Sequence, residues 1–170
     1  PAASEPASPQ PQLSYAHCST RVWPAAHTLL RHCVDRLPPG SSLLELGSGT
    51  GWFGDLLATQ RPDLQIVLTE MPQYGAFAQL DAAVEAMEAG PSRGAVRCAC
   101  FDWRMAPPPL GAFDVVVGSD LVYSEDTADG LCTVLRMLLA GGDASLSAPR
   151  AVLAHTCERW GASGYDGALL

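Results

Sequence analysis

The run Leu43-Leu44-Glu45-Leu46-Gly47-Ser48-Gly49-Thr50-Gly51 concentrates the residues best suited to chemistry. Its alternating glycines allow positive φ and let a ligand approach bare backbone. A helix opening directly after them would turn unpaired N–H groups toward a negative group. Further on, Glu70 closes the apolar run Leu64 to Thr69. A carboxylate at that point can accept hydrogen bonds from both hydroxyls of a ribose. The two features together imply a nucleotide-like cofactor. Two candidates compete. Gly49-x-Gly51-x-x-Gly54 formally matches the dinucleotide pattern. Glu45 lies inside the preceding strand, however, and an acid there does not help an anionic pyrophosphate. It can help hold a cofactor with a cationic amino-acid end, directly or through water. At 170 residues the chain is also too short for a nucleotide domain plus a separate substrate domain. Both points favour S-adenosylmethionine over NAD.

Elements must position these groups, and the patterning predicts them. Pro24 suits the first position of a helix, and Leu29, Leu30, Cys33 and Leu37 give that helix an apolar stripe. Pro38-Pro39-Gly40 ends it. Ser42 to Leu46 reads as a buried strand, and a short helix follows the glycines to about Gln60. Leu64 to Thr69 is a second strand and Gly75 to Ala89 a helix. Strands follow at Val96 to Phe101 and Phe113 to Val117, then a helix from Asp129 to Leu139 and a strand from Ala151 to His155. Strands alternating with helices imply βαβ crossovers and a parallel sheet, and continuous apolar strands imply helices on both faces. The expected fold is α/β, a doubly wound, mostly parallel sheet. Ligands bind beyond the carboxyl ends of such strands, which is where the motifs fall.

Composition narrows the partners. All 10 basic residues are Arg, which excludes Schiff-base, P-loop and lysine-base chemistry. A net charge of -8 argues against a duplex nucleic-acid partner and suits a basic one. No apolar run approaches the roughly 18 residues of a membrane span, so no membrane partner is expected. Residues 1–5 lack a basic and apolar signal pattern, so no secretory signal is expected. The 6 cysteines form no C-x-x-C pair and read as reduced thiols of an intracellular protein; a disulfide scaffold or zinc site is the minority reading. The histidines His17, His27, His32 and His155 read as incidental, and no metal site is expected. Residues 1–13, rich in Pro, Ala and Ser, read as a disordered leader before a domain covering 14–170. Without an initiator Met, the sequence is treated as a fragment or processed chain.

The motifs in combination resemble the class I S-adenosylmethionine-dependent methyltransferases, and within them the seven-β-strand protein-lysine methyltransferase-like family, methyltransferase family 16. The matching residues are Val22-Trp23-Pro24-Ala25-Ala26, Leu43 to Gly51, Leu68-Thr69-Glu70, Phe101-Asp102-Trp103 and Ser119-Asp120-Leu121-Val122-Tyr123. The resemblance covers about residues 20 to 160. It implies a Rossmann-like fold and a cytoplasmic or nuclear enzyme that transfers methyl from S-adenosylmethionine, leaving S-adenosylhomocysteine. The implied acceptor is a lysine amine of a protein, with a protein histidine, a small-molecule amine or a silent binding module as alternatives. By the same resemblance Gly47, Ser48, Gly49 and Gly51 line the methionine part of the cofactor and Glu70 holds the ribose, where the family more often has Asp. Asp102 and Trp103 border the adenine, Trp23 covers the pocket, and Ser119 contacts the cofactor near Asp120. Each has a plainer reading. Trp23 and Trp103 also suit a core, and Asp102 also suits a turn.

Asp120 and Tyr123 are the catalytic candidates of this resemblance. A lysine acceptor must first lose a proton, and at pH 7.4 its neutral form costs about 4 kcal/mol. Asp120 can attract the ammonium and orient the amine, and Tyr123 can wall the site and offer its ring face to the cation. No strong general base is expected, and water can take the proton. An N-cap or loop acid is the plainer reading of Asp120, and a packing aromatic that of Tyr123. Leu121-Val122 stands where base-amine methyltransferases usually carry Pro-Pro, which lowers a nucleic-acid substrate further. The fold also calls for a final antiparallel strand pair. Only about ten glycine-punctuated residues follow Glu158-Arg159, so the domain is expected to lack that pair. The methylated target, the methylation degree and the oligomeric state stay open.

Overall fold

The computed structural model describes residues 20–88, 90, 95–105, 110–122, 125–140 and 149–156. The expected leader and the segment beyond residue 156, where the missing strand pair was expected, lie outside them. Helix α1 runs Pro24–Arg36 with Pro at its first turn. Strand β1 (Ser42–Leu46) leads through the glycine loop into α2 (Trp52–Gln60). Then come β2 (Gln65–Glu70), a single 3₁₀ turn at Gln73–Gly75 and α3 (Ala76–Glu88). The rest is β3 (Val96–Cys100), β4 (Val115–Ser119), α4 (Glu125–Ala140) and β5 (Arg150–Ala154).

The strands form one sheet in the order β3-β2-β1-β4-β5, and every pairing is parallel. Strand alternation divides the apolar residues between two cores. Leu43, Ile66, Leu68, Val115 and Val117 face one side, where Leu29, Leu30 and Cys33 of α1, Phe53 and Leu57 of α2 and Leu80 and Val84 of α3 cover them. Leu44, Leu46, Val67 and Val116 face the other side, under Leu131 and Val134 of α4. Each such fully buried side chain contributes about 1.5–3 kcal/mol of transfer free energy. The order reverses between β1 and β4, so the switch point lies beside the glycine loop.

Most boundaries fall within one residue of the sequence reading, and two elements differ by more. Strand β4 starts two residues later than Phe113, because Asp114 is used as an anchor. Its carboxylate accepts from the Ser42 backbone N–H and the Ser42 hydroxyl, both at 2.8 Å. The strand then continues through Gly118 and Ser119, which pair with Leu46 and Ala154. Helix α4 begins at Glu125 rather than Asp129. The apolar stripe that marks the helix in sequence starts a turn later, whereas acidic residue types suit a helix start.

Candidate active site

The glycine loop is bound to the carboxyl end of β2. Gly47, Gly49 and Gly51 have φ of 64°, 53° and 76°, a region in which other residues are strained. Ser48 donates its N–H to the Thr69 carbonyl at 2.9 Å, and its Oγ accepts the Thr69 N–H at 3.1 Å. Thr69 in turn donates its hydroxyl to the Glu45 carbonyl at 2.6 Å. Gly49 donates its N–H to Glu70 Oε2 at 2.8 Å, and Met71 donates to Glu70 Oε1 at 2.9 Å. The loop and the proposed sugar-binding carboxylate therefore face each other. Burial raises the Glu70 carboxyl above its ordinary range, and the Met71 and Gly49 N–H groups oppose the rise.

Glu45 shares a sheet face with Leu43 and lies buried among apolar groups. Among the described residues its Oε2 has no hydrogen-bond partner. Burial pushes its carboxyl up to about 8; the Ser48 hydroxyl works against that rise and the charge of Glu70 adds to it. A buried acid without a full set of donors is costly, so a cation placed nearby would ionise and satisfy it. A pyrophosphate would not.

Packing also restricts Gly47, Gly54 and Gly130. A Cβ at Gly47 would stand 2.7 Å from Leu121 Cδ2 and 3.4 Å from the Trp103 ring. Trp103 also lies 3.0 Å from where a Gly130 Cβ would be, so the indole is wedged between the loop and α4. It supports the loop from the α4 side. Gly54 lets α2 approach Leu68, whose Cδ2 would be 2.6 Å from an added Cβ. Beside them, Asp102 accepts from Gln73 at 3.1 Å and forms an ion pair with Arg104 at 2.6 Å. Arg104 holds the Asp102 carboxyl below its usual range against the effect of burial.

Trp23 occupies the N-cap position of α1, half-buried, with the Arg21 guanidinium 5.4 Å from its ring centroid. α1 reaches the loop helix through His27 and Trp52, whose rings meet edge-on at 4.5 Å. Ser119 ends β4 beside the loop. Asp120 follows with φ of 52°, and its side chain is 0% exposed. The carboxylate is turned toward β5: it accepts the Thr156 N–H at 2.8 Å and the Thr156 hydroxyl at 3.0 Å. His155 Nδ1 lies 3.4 Å from Asp120 Oδ1. Asp120 thus follows β4 as the sequence places it, and its buried carboxylate is engaged by Thr156 and lies beside His155. Tyr123 lies outside the described residues.

Sequence reasoning gave Thr69 no role of its own, read His155 as incidental and did not single out Thr156. Each sits at or just after the carboxyl end of a strand, which was the available signal. Among the described residues no group of three or more His, Cys, Asp or Glu side chains could hold a metal ion. Burial pushes the Cys33 thiol up to about 12, an effect that Glu45 increases. Burial likewise pushes Cys98 up to about 11, with its hydrogen bond to Asp81 adding to the rise. Neither is an activated nucleophile.

The sequence model of a family described as lysine methyltransferase matches residues 11–151. The chain belongs to this family. It is 33% identical over 123 residues to EEF1A lysine methyltransferase 3 of Mus musculus, covering 71% of this chain and 50% of that protein. It is 39% identical over 77 residues to ribosomal RNA small subunit methyltransferase G of Salinispora arenicola, covering 45% of this chain and 31% of that protein. The chain therefore spans half or less of the length of these relatives. Among solved structures, the small RNA methyltransferase HEN1 superposes with a TM-score of 0.54 at 14% identity, over 69% of this chain and 16% of that one. The S-adenosylmethionine-dependent methyltransferase SibL gives 0.53 at 20% identity, over 70% and 32%. The [4+2]-cyclase SpnF gives 0.52 at 23% identity, over 74% and 51%. These likenesses show the Rossmann-like class I methyltransferase fold. A cyclase among them means that the fold alone does not fix the reaction.

Proposed function

We infer that this family member is the cofactor-binding core of an S-adenosylmethionine-dependent methyltransferase acting on a lysine side-chain amine of a protein. The observation that carries the reading is the Glu70 carboxylate seated on the Gly49 N–H, with the unpartnered oxygen of Glu45 buried beside the same loop. Each Glu70 oxygen accepts one N–H and keeps acceptor capacity for a sugar hydroxyl. Glu45 suits a cationic amino-acid end. Gly47, Ser48, Gly49 and Gly51 would line that end, Asp102 would border the adenine with Trp103 supporting the loop, and Trp23 and Ser119 would flank the pocket. When bound, the cofactor supplies an electrophilic methyl group on a sulfonium.

The chain's own part is to hold that group, present the acceptor and draw in its partner. The net charge of -8 favours a basic, lysine-bearing protein over duplex nucleic acid. The mouse relative, a lysine methyltransferase by name, supports the same acceptor. Free thiols at Cys33, Cys98, Cys100 and Cys132 agree with a reducing compartment, cytoplasm or nucleus.

Two measurements test this. Calorimetric titration with S-adenosylhomocysteine should show binding; none would remove the cofactor reading. Labelled methyl transfer from S-adenosylmethionine into a cell lysate, followed by mapping of the modified residue, should place the label on lysine. Label on histidine or on a small amine would replace the acceptor.

A further inference from the structure

Asp120 is held in a way that its packing alone does not call for. It is a non-glycine residue at positive φ, which costs about 1 kcal/mol or more. Hydrogen bonds to the end of β5 and the residues just after it help hold it there. Its N–H donates to the Ala154 carbonyl at 2.9 Å, and its two carboxylate oxygens take the Thr156 N–H and hydroxyl. Thr156 thus fixes the carboxylate so that Oδ1 also faces His155 Nδ1 at 3.4 Å. The imidazole is 18% exposed, whereas the acid behind it is fully covered. Among the described residues, Nε2 makes no hydrogen bond. The arrangement is a buried carboxylate behind a partly exposed imidazole, at the carboxyl ends of β4 and β5. β4 borders the switch point, and adjacent strands lie about 4.8 Å apart, so an acceptor at that mouth is within side-chain reach.

We propose that His155 takes the proton from the incoming ammonium and that Asp120 is the residue that positions it. This rests on the methyltransferase reading above. Facing Oδ1, Nδ1 carries its proton, and the Nε2 lone pair points away. The ammonium N–H bond breaks, its electron pair stays on the amine nitrogen, and the proton bonds to Nε2. The imidazolium then returns the proton to water across its exposed edge. The 3.4 Å contact is an ion-pair distance once the ring is protonated, and catalytic contacts often tighten only with substrate bound.

The test uses the whole natural protein with S-adenosylmethionine and its mapped protein substrate. His155→Ala should lower kcat about 100-fold or more, leaving KM and S-adenosylhomocysteine affinity within about threefold. Added imidazole should restore part of the rate, which a packing defect would not allow. His155→Gln, which retains polarity and bulk, should be equally slow. A separate readout needs no activity. The nitrogen-15 shifts of the His155 ring in the cofactor-free protein should report the Nδ1–H tautomer, and Asp120→Asn should change the tautomer ratio. Rates within threefold of wild type for both His155 variants, with cofactor bound and label transferred, overturn this inference alone. Unchanged ring shifts in Asp120→Asn overturn the positioning role. A wild-type protein that labels nothing overturns the methyltransferase reading, and the proton acceptor goes with it.

Discussion

Gly49 donates its backbone N–H to Glu70 Oε2 across 2.8 Å, joining the middle of the glycine loop to the end of the neighbouring strand. The contact has a local origin in sequence. Parallel pairing sets Leu46 beside Thr69, so the loop that follows β1 starts beside Glu70, the last residue of β2. Positive φ at Gly47 and Gly49 then turns the loop N–H groups toward the acid. The carboxylate is thus oriented before any ligand arrives, and less ordering is needed on binding.

Removing that carboxylate removes two functions together. Glu70→Ala deletes the acceptor for the sugar and leaves the Gly49 N–H without its partner. A hydrogen bond to a charged group contributes about 1.5–3 kcal/mol, so affinity for S-adenosylhomocysteine should fall about 10- to 100-fold. Calorimetric titration measures this, with a thermal melt as the folding control. Undiminished affinity would exclude the ribose role.

Gly47→Ala should destabilise the fold as well as the site. An added methyl would stand 2.7 Å from Leu121 Cδ2, at a φ of 64°. Overpacking of this kind costs about 1–3 kcal/mol, and the backbone conformation adds about 1 kcal/mol. Urea denaturation should show the loss. The double variant Gly47→Ala with Leu121→Ala should recover the steric part and not the backbone part. Equal stability of Gly47→Ala and wild type would mean that the loop relaxes freely.

The sheet and the loop-to-Glu70 pairing were legible in sequence because they rest on local patterns. Apolar runs, glycine turns and proline stops mark the alternating strands and helices of a doubly wound parallel sheet, though not the order of its strands. The orientation of Asp120 was not legible. Its motif marks the end of β4, but the partners that turn its carboxylate, Thr156 and His155, come from the end of β5. No spacing rule links them. Trp103 is similar: its sequence position suits an adenine border, yet the space between Gly47 and Gly130 exists only once α4 has packed.

Thr69 offers a test of the loop that leaves every charge in place. Its hydroxyl donates to the Glu45 carbonyl at 2.6 Å, inside the core. Thr69→Val conserves shape and strands that carbonyl without its side-chain donor. The expected loss is about 1–2 kcal/mol in urea denaturation, with a smaller drop in S-adenosylhomocysteine affinity than Glu70→Ala produces. An affinity loss as large as that of Glu70→Ala would mean that Thr69, not Glu70, dominates the pocket.

Glu45 should make both stability and binding depend on pH, with opposite signs. Its carboxyl is raised from 4.5 to about 8 by burial, so the folded chain favours the protonated form. Stability from this group is full below pH 4.5 and is lost as pH rises toward 8, by a few kcal/mol in all. Glu70, also raised by burial, acts in the same direction. Asp102 and Asp114, both lowered, act in the opposite sense and only near or below their ordinary 3.8. Urea midpoints at pH 5, 6.5 and 8 should therefore decline, and Glu45→Gln should flatten most of the slope. Binding runs the other way, because a cationic ligand needs the ionised acid. Affinity for S-adenosylmethionine should rise from pH 6 to 8 in the wild type and much less in Glu45→Gln. If the two proteins share the same slope in both measurements, the unpartnered oxygen of Glu45 faces no cation.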